Sequence, residues 1–208
     1  MKPDSLIATH RSGPTRGRVT DTALPGVLAQ PGVKVAVVTC CDAHAPAGEI
    51  FGSAGAAAMA IRTVGNTIGE DVLGALEYAC VVEGAAVIVI LGHSHCHAVS
   101  LACKGTELGH LTGVLDRMGP AIRTVRTAAG DGLSTDALVE RVTAEHARRQ
   151  AEAITARSPL LAALVADGQL TVIAAVADSA SGTVVPVQQF RHTPSAILSD
   201  RPGGAVRH

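Results

Sequence analysis

Two short runs of mostly β-branched apolar residues, Val33 to Thr39 and Ala86 to Leu91, each lead straight into side chains able to bind a metal. A strand without polar alternation is buried on both faces, which is the condition of strands in a parallel sheet covered by helices. The first run delivers Cys40 to its C-terminal end, and the second delivers Gly92-His93-Ser94-His95-Cys96-His97. Open α/β sheets bind ligands outside the carboxyl ends of their strands, so both clusters are expected at one sheet edge. The pattern therefore predicts an α/β fold, a mostly parallel central sheet of four to five strands flanked by helices.

The remaining segments fit that plan. Ala58 to Arg62 reads as a further strand and Val64-Gly65-Asn66 as a turn. Thr67-Ile68-Gly69-Glu70 has the spacing of a capping box, predicting a helix that starts there, carries Val72, Leu73, Leu76, Ala79 and Cys80 on one stripe, and stops at Gly84. Ser134 to Ala156 predicts a long amphipathic helix, Ser158-Pro159 an N-cap with proline at the first helical position, Leu170 to Val176 another buried strand and Thr183 to Val187 a short edge strand. The domain is expected to span 33–190, with an N-terminal arm over 1–32 and a polar tail over 191–208.

Cys40 and the His93-x-x-Cys96 pair offer two thiolates and one imidazole, a set that zinc accepts with a fourth tetrahedral position left for water or another ligand. Five cysteines are an odd set in a chain that starts without a signal-peptide core, so metal binding or free thiols are expected over a disulfide framework, and a cytoplasmic location with them. Cys41 is expected to point away from Cys40 into the core, and Cys80 and Cys103 to pack on helix faces. A net charge of −1 gives no electrostatic reason to bind nucleic acid or an anionic membrane, and three aromatic residues, Phe51, Tyr78 and Phe190, build no base-stacking platform. No apolar run approaches the roughly 20 residues that cross a bilayer. The expected partner is a small-molecule substrate.

From Val33 to Val187 the sequence resembles the β-class carbonic anhydrases. The family's C-x-D-x-R segment is matched by Cys40-Cys41-Asp42-Ala43-His44, and a following stretch is similar to Glu49-Ile50-Phe51-Gly52. Its R-N-A-G-N turn is matched by Arg62-Thr63-Val64-Gly65-Asn66, its S-L-E-Y-A helix by Ala75-Leu76-Glu77-Tyr78-Ala79, and its G-H-x-x-C-G segment by Gly92 to His97, with His97 in place of the last glycine.

The resemblance implies Zn2+ held by Cys40, His93 and Cys96, with Asp42 either orienting a zinc-held hydroxide or becoming the fourth ligand. It implies a lyase that hydrates carbon dioxide reversibly to bicarbonate, a pocket walled by Val64, Gly65 and His97, and assembly as a homodimer or tetramer. His44 stands where the family has the arginine that pairs with this aspartate. Arginine is always charged and grips a carboxylate with a planar fork, whereas histidine is shorter and usually neutral near pH 7. Asp42 is then less firmly held away from the metal, unless a protonated His44 replaces the arginine in part. Two alternatives stay open: another small electrophile as substrate, whether carbonyl sulfide, carbon disulfide or a pathway intermediate, or a catalytically silent zinc protein whose coordination is closed by Asp42. His95 and His97 narrow the pocket, add proton-transfer groups, or are simply exposed helix-start residues. Arg62 and Glu77 are expected to pair near the site.

Overall fold

The structure, a computed structural model, describes residues 32–43, 58–181 and 183–190. Four strands, β1 (Val35–Cys40), β2 (Met59–Thr63), β3 (Val87–His93) and β4 (Thr171–Ala177), run parallel, and β5 (Val184–Phe190) pairs antiparallel with β4, giving the order β2-β1-β3-β4-β5. Every residue of the central strands β1 and β3 is buried, as their unbroken apolar runs require. β5 carries Pro186, which has no N–H to give a ladder and is tolerated because the strand lies at the sheet's edge.

Among the described residues, six α-helices link and cover the strands: α1 (Glu70–Glu77), α2 (His97–Cys103), α3 (Gly109–Leu115), α4 (Gly119–Ala129), α5 (Thr135–Arg157) and α6 (Pro159–Ala166). α1 winds on through a π turn over Tyr78–Val82 and ends at Gly84, whose φ of 75° only glycine adopts freely. One sheet face packs Ile88, Ile90, Val172 and Ala174 against Leu73 and Leu76 of α1, Ala147, Ala151 and Ile154 of α5 and Leu161 of α6. α5 starts where Ser134 Oγ accepts the Ala137 N–H, and α6 where Ser158 Oγ accepts that of Leu161, both as the sequence predicts.

The capping box at Thr67 does not form. α1 begins three residues later with Gly69 as N-cap and no side-chain cap, while Thr67 is buried and its carbonyl accepts the Thr63 hydroxyl. Burial of Thr67 in the turn after β2 overrides the local capping preference. Residues 1–31 of the arm expected over 1–32, the tail over 191–208 and the Glu49-Ile50-Phe51-Gly52 stretch lie outside the described residues.

Candidate metal centre

The parallel register sets Thr39 of β1 beside Leu91 of β3, so both strands release their next residues at the same edge. Cys40 closes β1 and the chain turns at once, the Ala43 N–H reaching the Cys40 carbonyl at 3.2 Å. Arg62 of β2 braces that turn: its Nη2 donates to the carbonyls of Cys41 at 3.1 Å and Ala43 at 2.5 Å. His93 closes β3, and the Ser94 N–H bonds to the Ala177 carbonyl of β4, directing the chain through His95, at φ 54°, into α2 with Cys96 as its N-cap.

These turns bring Cys40, Asp42, His93 and Cys96 together, with one ligand atom from each lying within 4.8 Å of the others. The Cys40 and Cys96 sulfurs are 3.8 Å apart, and Cys96 Sγ lies 3.8 Å from Asp42 Oδ1. His93 Nε2 is 2.8 Å from Asp42 Oδ1, while Asp42 Oδ2 accepts the His97 backbone N–H at 2.9 Å. His93 Nδ1 lies 3.0 Å from the Ser94 carbonyl, a contact that places a hydrogen on Nδ1 and leaves Nε2 facing the cluster.

The electrostatics describe a site short of positive charge. The neighbouring Cys96 thiol and burial both push the Cys40 thiol well above its ordinary range. Burial alone would raise Asp42, but hydrogen bonds from His93 and Cys40 outweigh it and hold the carboxyl well below the usual carboxylate range. Burial likewise works against charge on His93, yet its bond to Asp42 prevails and raises the imidazole to about 9. A divalent cation inverts this logic by favouring thiolate, neutral imidazole and carboxylate together.

The donor set suits zinc. Two thiolates bound tetrahedrally at about 2.3 Å sit about 3.8 Å apart, the separation that the two sulfurs already have.

Gly65 and Val64 lie against Cys40. The Gly65 N–H points at Cys40 Sγ from 3.0 Å, at a φ of 63°, and Val64 packs on the cluster that contains Cys40 and Cys96. His97 and His95 are both exposed, and His97 is the first residue of α2. His44 lies outside the described residues.

Two expectations fail. Cys41 is exposed, because the chain turns after Cys40 and strand alternation no longer applies. Arg62 spends its guanidinium on the carbonyls of the Cys40 turn, while Glu77 accepts the Ser158 hydroxyl at 2.6 Å. One residue of the region escaped the sequence reading: His146 of α5 is buried with Nε2 3.0 Å from the Gly65 carbonyl. The signal was a lone imidazole on the apolar stripe of an amphipathic helix.

The carbonic anhydrase family profile matches residues 35–184. The chain is 32% identical over 139 residues to carbonic anhydrase 2 of Mycobacterium tuberculosis, the match covering 64% of each chain. It therefore spans a little under two thirds of that relative's length. It is 31% identical over 155 residues to a carbonic anhydrase of Mycolicibacterium smegmatis, covering 72% of each. Among solved structures, the fold is that of a Coccomyxa β-carbonic anhydrase in complex with acetazolamide, at 23% identity and TM-score 0.66 over 76% of this chain and 73% of that one. It is also that of a tetrameric β-carbonic anhydrase of Sordaria macrospora, at 18% identity and TM-score 0.66 over 78% and 84%.

Proposed function

The chain belongs to the β-class carbonic anhydrases, and from that membership we propose that it hydrates carbon dioxide reversibly to bicarbonate with one zinc ion held by Cys40, His93 and Cys96. The observation that carries the reading is the convergence of these three ligand atoms with an Asp42 oxygen inside 4.8 Å, at the carboxyl ends of two adjacent strands. When bound, zinc acts as a Lewis acid that brings the pKa of water down toward about 7.

The residues around the ligands do the positioning. The Ser94 carbonyl orients His93 through Nδ1, Arg62 stiffens the turn that carries Cys40 and Asp42, and the Gly65 N–H offsets negative charge on the Cys40 sulfur. Asp42 is held from one side by the His97 N–H and from the other by His93. We read Val64, Gly65 and His97 as walls of the substrate pocket.

In the arrangement described, Asp42 completes a four-donor set. Structural zinc sites are closed and catalytic ones keep a position open, so hydration requires the carboxylate to give up that place. Zinc-loaded protein assayed for carbon dioxide hydration across a range of pH is expected to be active. Full zinc occupancy with no hydration at any pH overturns the proposal and leaves a closed zinc protein.

We read the working form as a homodimer or a tetramer. A Sordaria relative of the same fold is tetrameric, and Tyr78, Val81 and Val82 leave an apolar group exposed at the end of α1.

A further inference from the structure

α5 packs across the turn after β2 and touches it with two polar side chains from its buried face. Gln150 Oε1 accepts the Ile68 N–H at 2.7 Å, and one turn earlier along the helix His146 Nε2 lies 3.0 Å from the Gly65 carbonyl. Gly65 is thus held at both of its peptide groups, its carbonyl by His146 and its N–H by Cys40 Sγ at 3.0 Å. A glycine at φ 63° rotates more easily than any other residue, so a fixed N–H direction at this point must come from outside it.

We propose that His146 is a positioning residue for the metal centre: by fixing the Gly65 carbonyl it fixes the Gly65 N–H on the Cys40 sulfur, and so the thiolate itself. The inference rests on the reading of Cys40 as a zinc ligand.

The contact fixes the tautomer. A carbonyl 3.0 Å from Nε2 needs the hydrogen there, and Nδ1, buried without a hydrogen-bond partner, is then a bare lone pair and not a stranded donor. Burial, with the Arg149 charge acting in the same direction, lowers His146 to about 4, so the ring is neutral above acidic pH. A glutamine at 146 offers a donor amide of similar reach, whereas a leucine fills similar space with none.

The test compares the full-length chain with His146→Gln, His146→Leu and Cys40→Ser, reading zinc release to a chelator and the thiolate-to-metal absorption of the cobalt-loaded proteins. His146→Leu is expected to release zinc about tenfold faster, at the low end of what outer-shell partners contribute to affinity, with a shifted cobalt band. His146→Gln is expected to behave as the unaltered chain. Wild-type release and an unchanged band in His146→Leu overturn the proposal, as does equal damage in His146→Gln, which makes the role one of packing alone. Full zinc in Cys40→Ser removes the zinc reading itself and this inference with it, whereas the first two results leave the zinc reading standing. Should His146→Leu fail to fold, the imidazole nitrogen resonances of the unaltered chain decide: the Nε2–H tautomer supports the proposal and the Nδ1–H tautomer overturns it.

Discussion

Under the proposed function Asp42 has two roles open to it, and His44 stands where the resemblance to the β-class family implies an arginine. An arginine two residues on would grip the carboxylate bidentately, whereas His44 offers a carboxylate one donor and is usually neutral near pH 7. His44→Arg is therefore expected to raise carbon dioxide hydration at unchanged zinc content by about tenfold to a hundredfold, since each roughly 1.4 kcal/mol is a factor of ten. A slower variant would make His44 an active participant in its own right. His146 gives a second prediction at this scale. Its folded value of about 4 lies below the ordinary 6.5, so the unfolded chain binds the extra proton first, and stability is lost as pH falls from 6.5 to 4. The loss approaches about 3 kcal/mol at 1.36 kcal/mol per pH unit, and denaturant unfolding of His146→Gln across that range should lack it. The clustering of Cys40, Asp42, His93 and Cys96 was legible because each stands at or just past the end of an apolar run. His146 was not, because its partner Gly65 lies 81 residues away.

Elements with an unbroken pattern declared themselves. β1, β3, β4, α5 and the start of α6 lie within a residue or two of where periodicity and caps put them, since burial on two faces or along one stripe leaves a composition that nothing else explains. The turn after β2 was read correctly as a turn, but its consequences for α1 and for the site are tertiary. Gly65 shows why. A Cβ there would stand 2.0 Å from Met118 Cε, a fully buried side chain, and would have to adopt a left-handed φ of 63°. Gly65→Ala is expected to destabilise the fold by about 2–5 kcal/mol, combining about 1–2 for the backbone with about 1–3 for overpacking. Adding Met118→Ala removes the crowding and not the backbone cost, so the double variant should lose less than the two single losses combined, as measured by denaturant midpoints. Strict additivity would mean that the Met118 contact carries no strain.

At the scale of the molecule, large apolar residues remain exposed among the described residues at Tyr78, Val81 and Val82 beyond α1, at Leu108 and Leu160, and at Val185 and Val187 on β5. β5 is an edge, and an edge strand with exposed valines and no lysine among Val184–Phe190 lacks the charge that usually discourages pairing with another chain. The sequence foretold an edge for Thr183 to Val187, most of which lies in β5, but not for β2 at the opposite side of the described sheet, because strand order is set by crossover connections and not by composition. No helix among the described residues is long and apolar enough to cross a membrane. The self-assembly proposed above would cover these exposed side chains, since closed symmetric assemblies bury the same patch on every subunit. Sedimentation of the zinc-loaded chain at micromolar concentration is therefore expected to give a dimer or a multiple of one. A stable monomer that still binds one zinc and hydrates carbon dioxide would show that one copy builds a complete site, and would leave the exposed residues of α1 and β5 to be explained by something other than self-assembly.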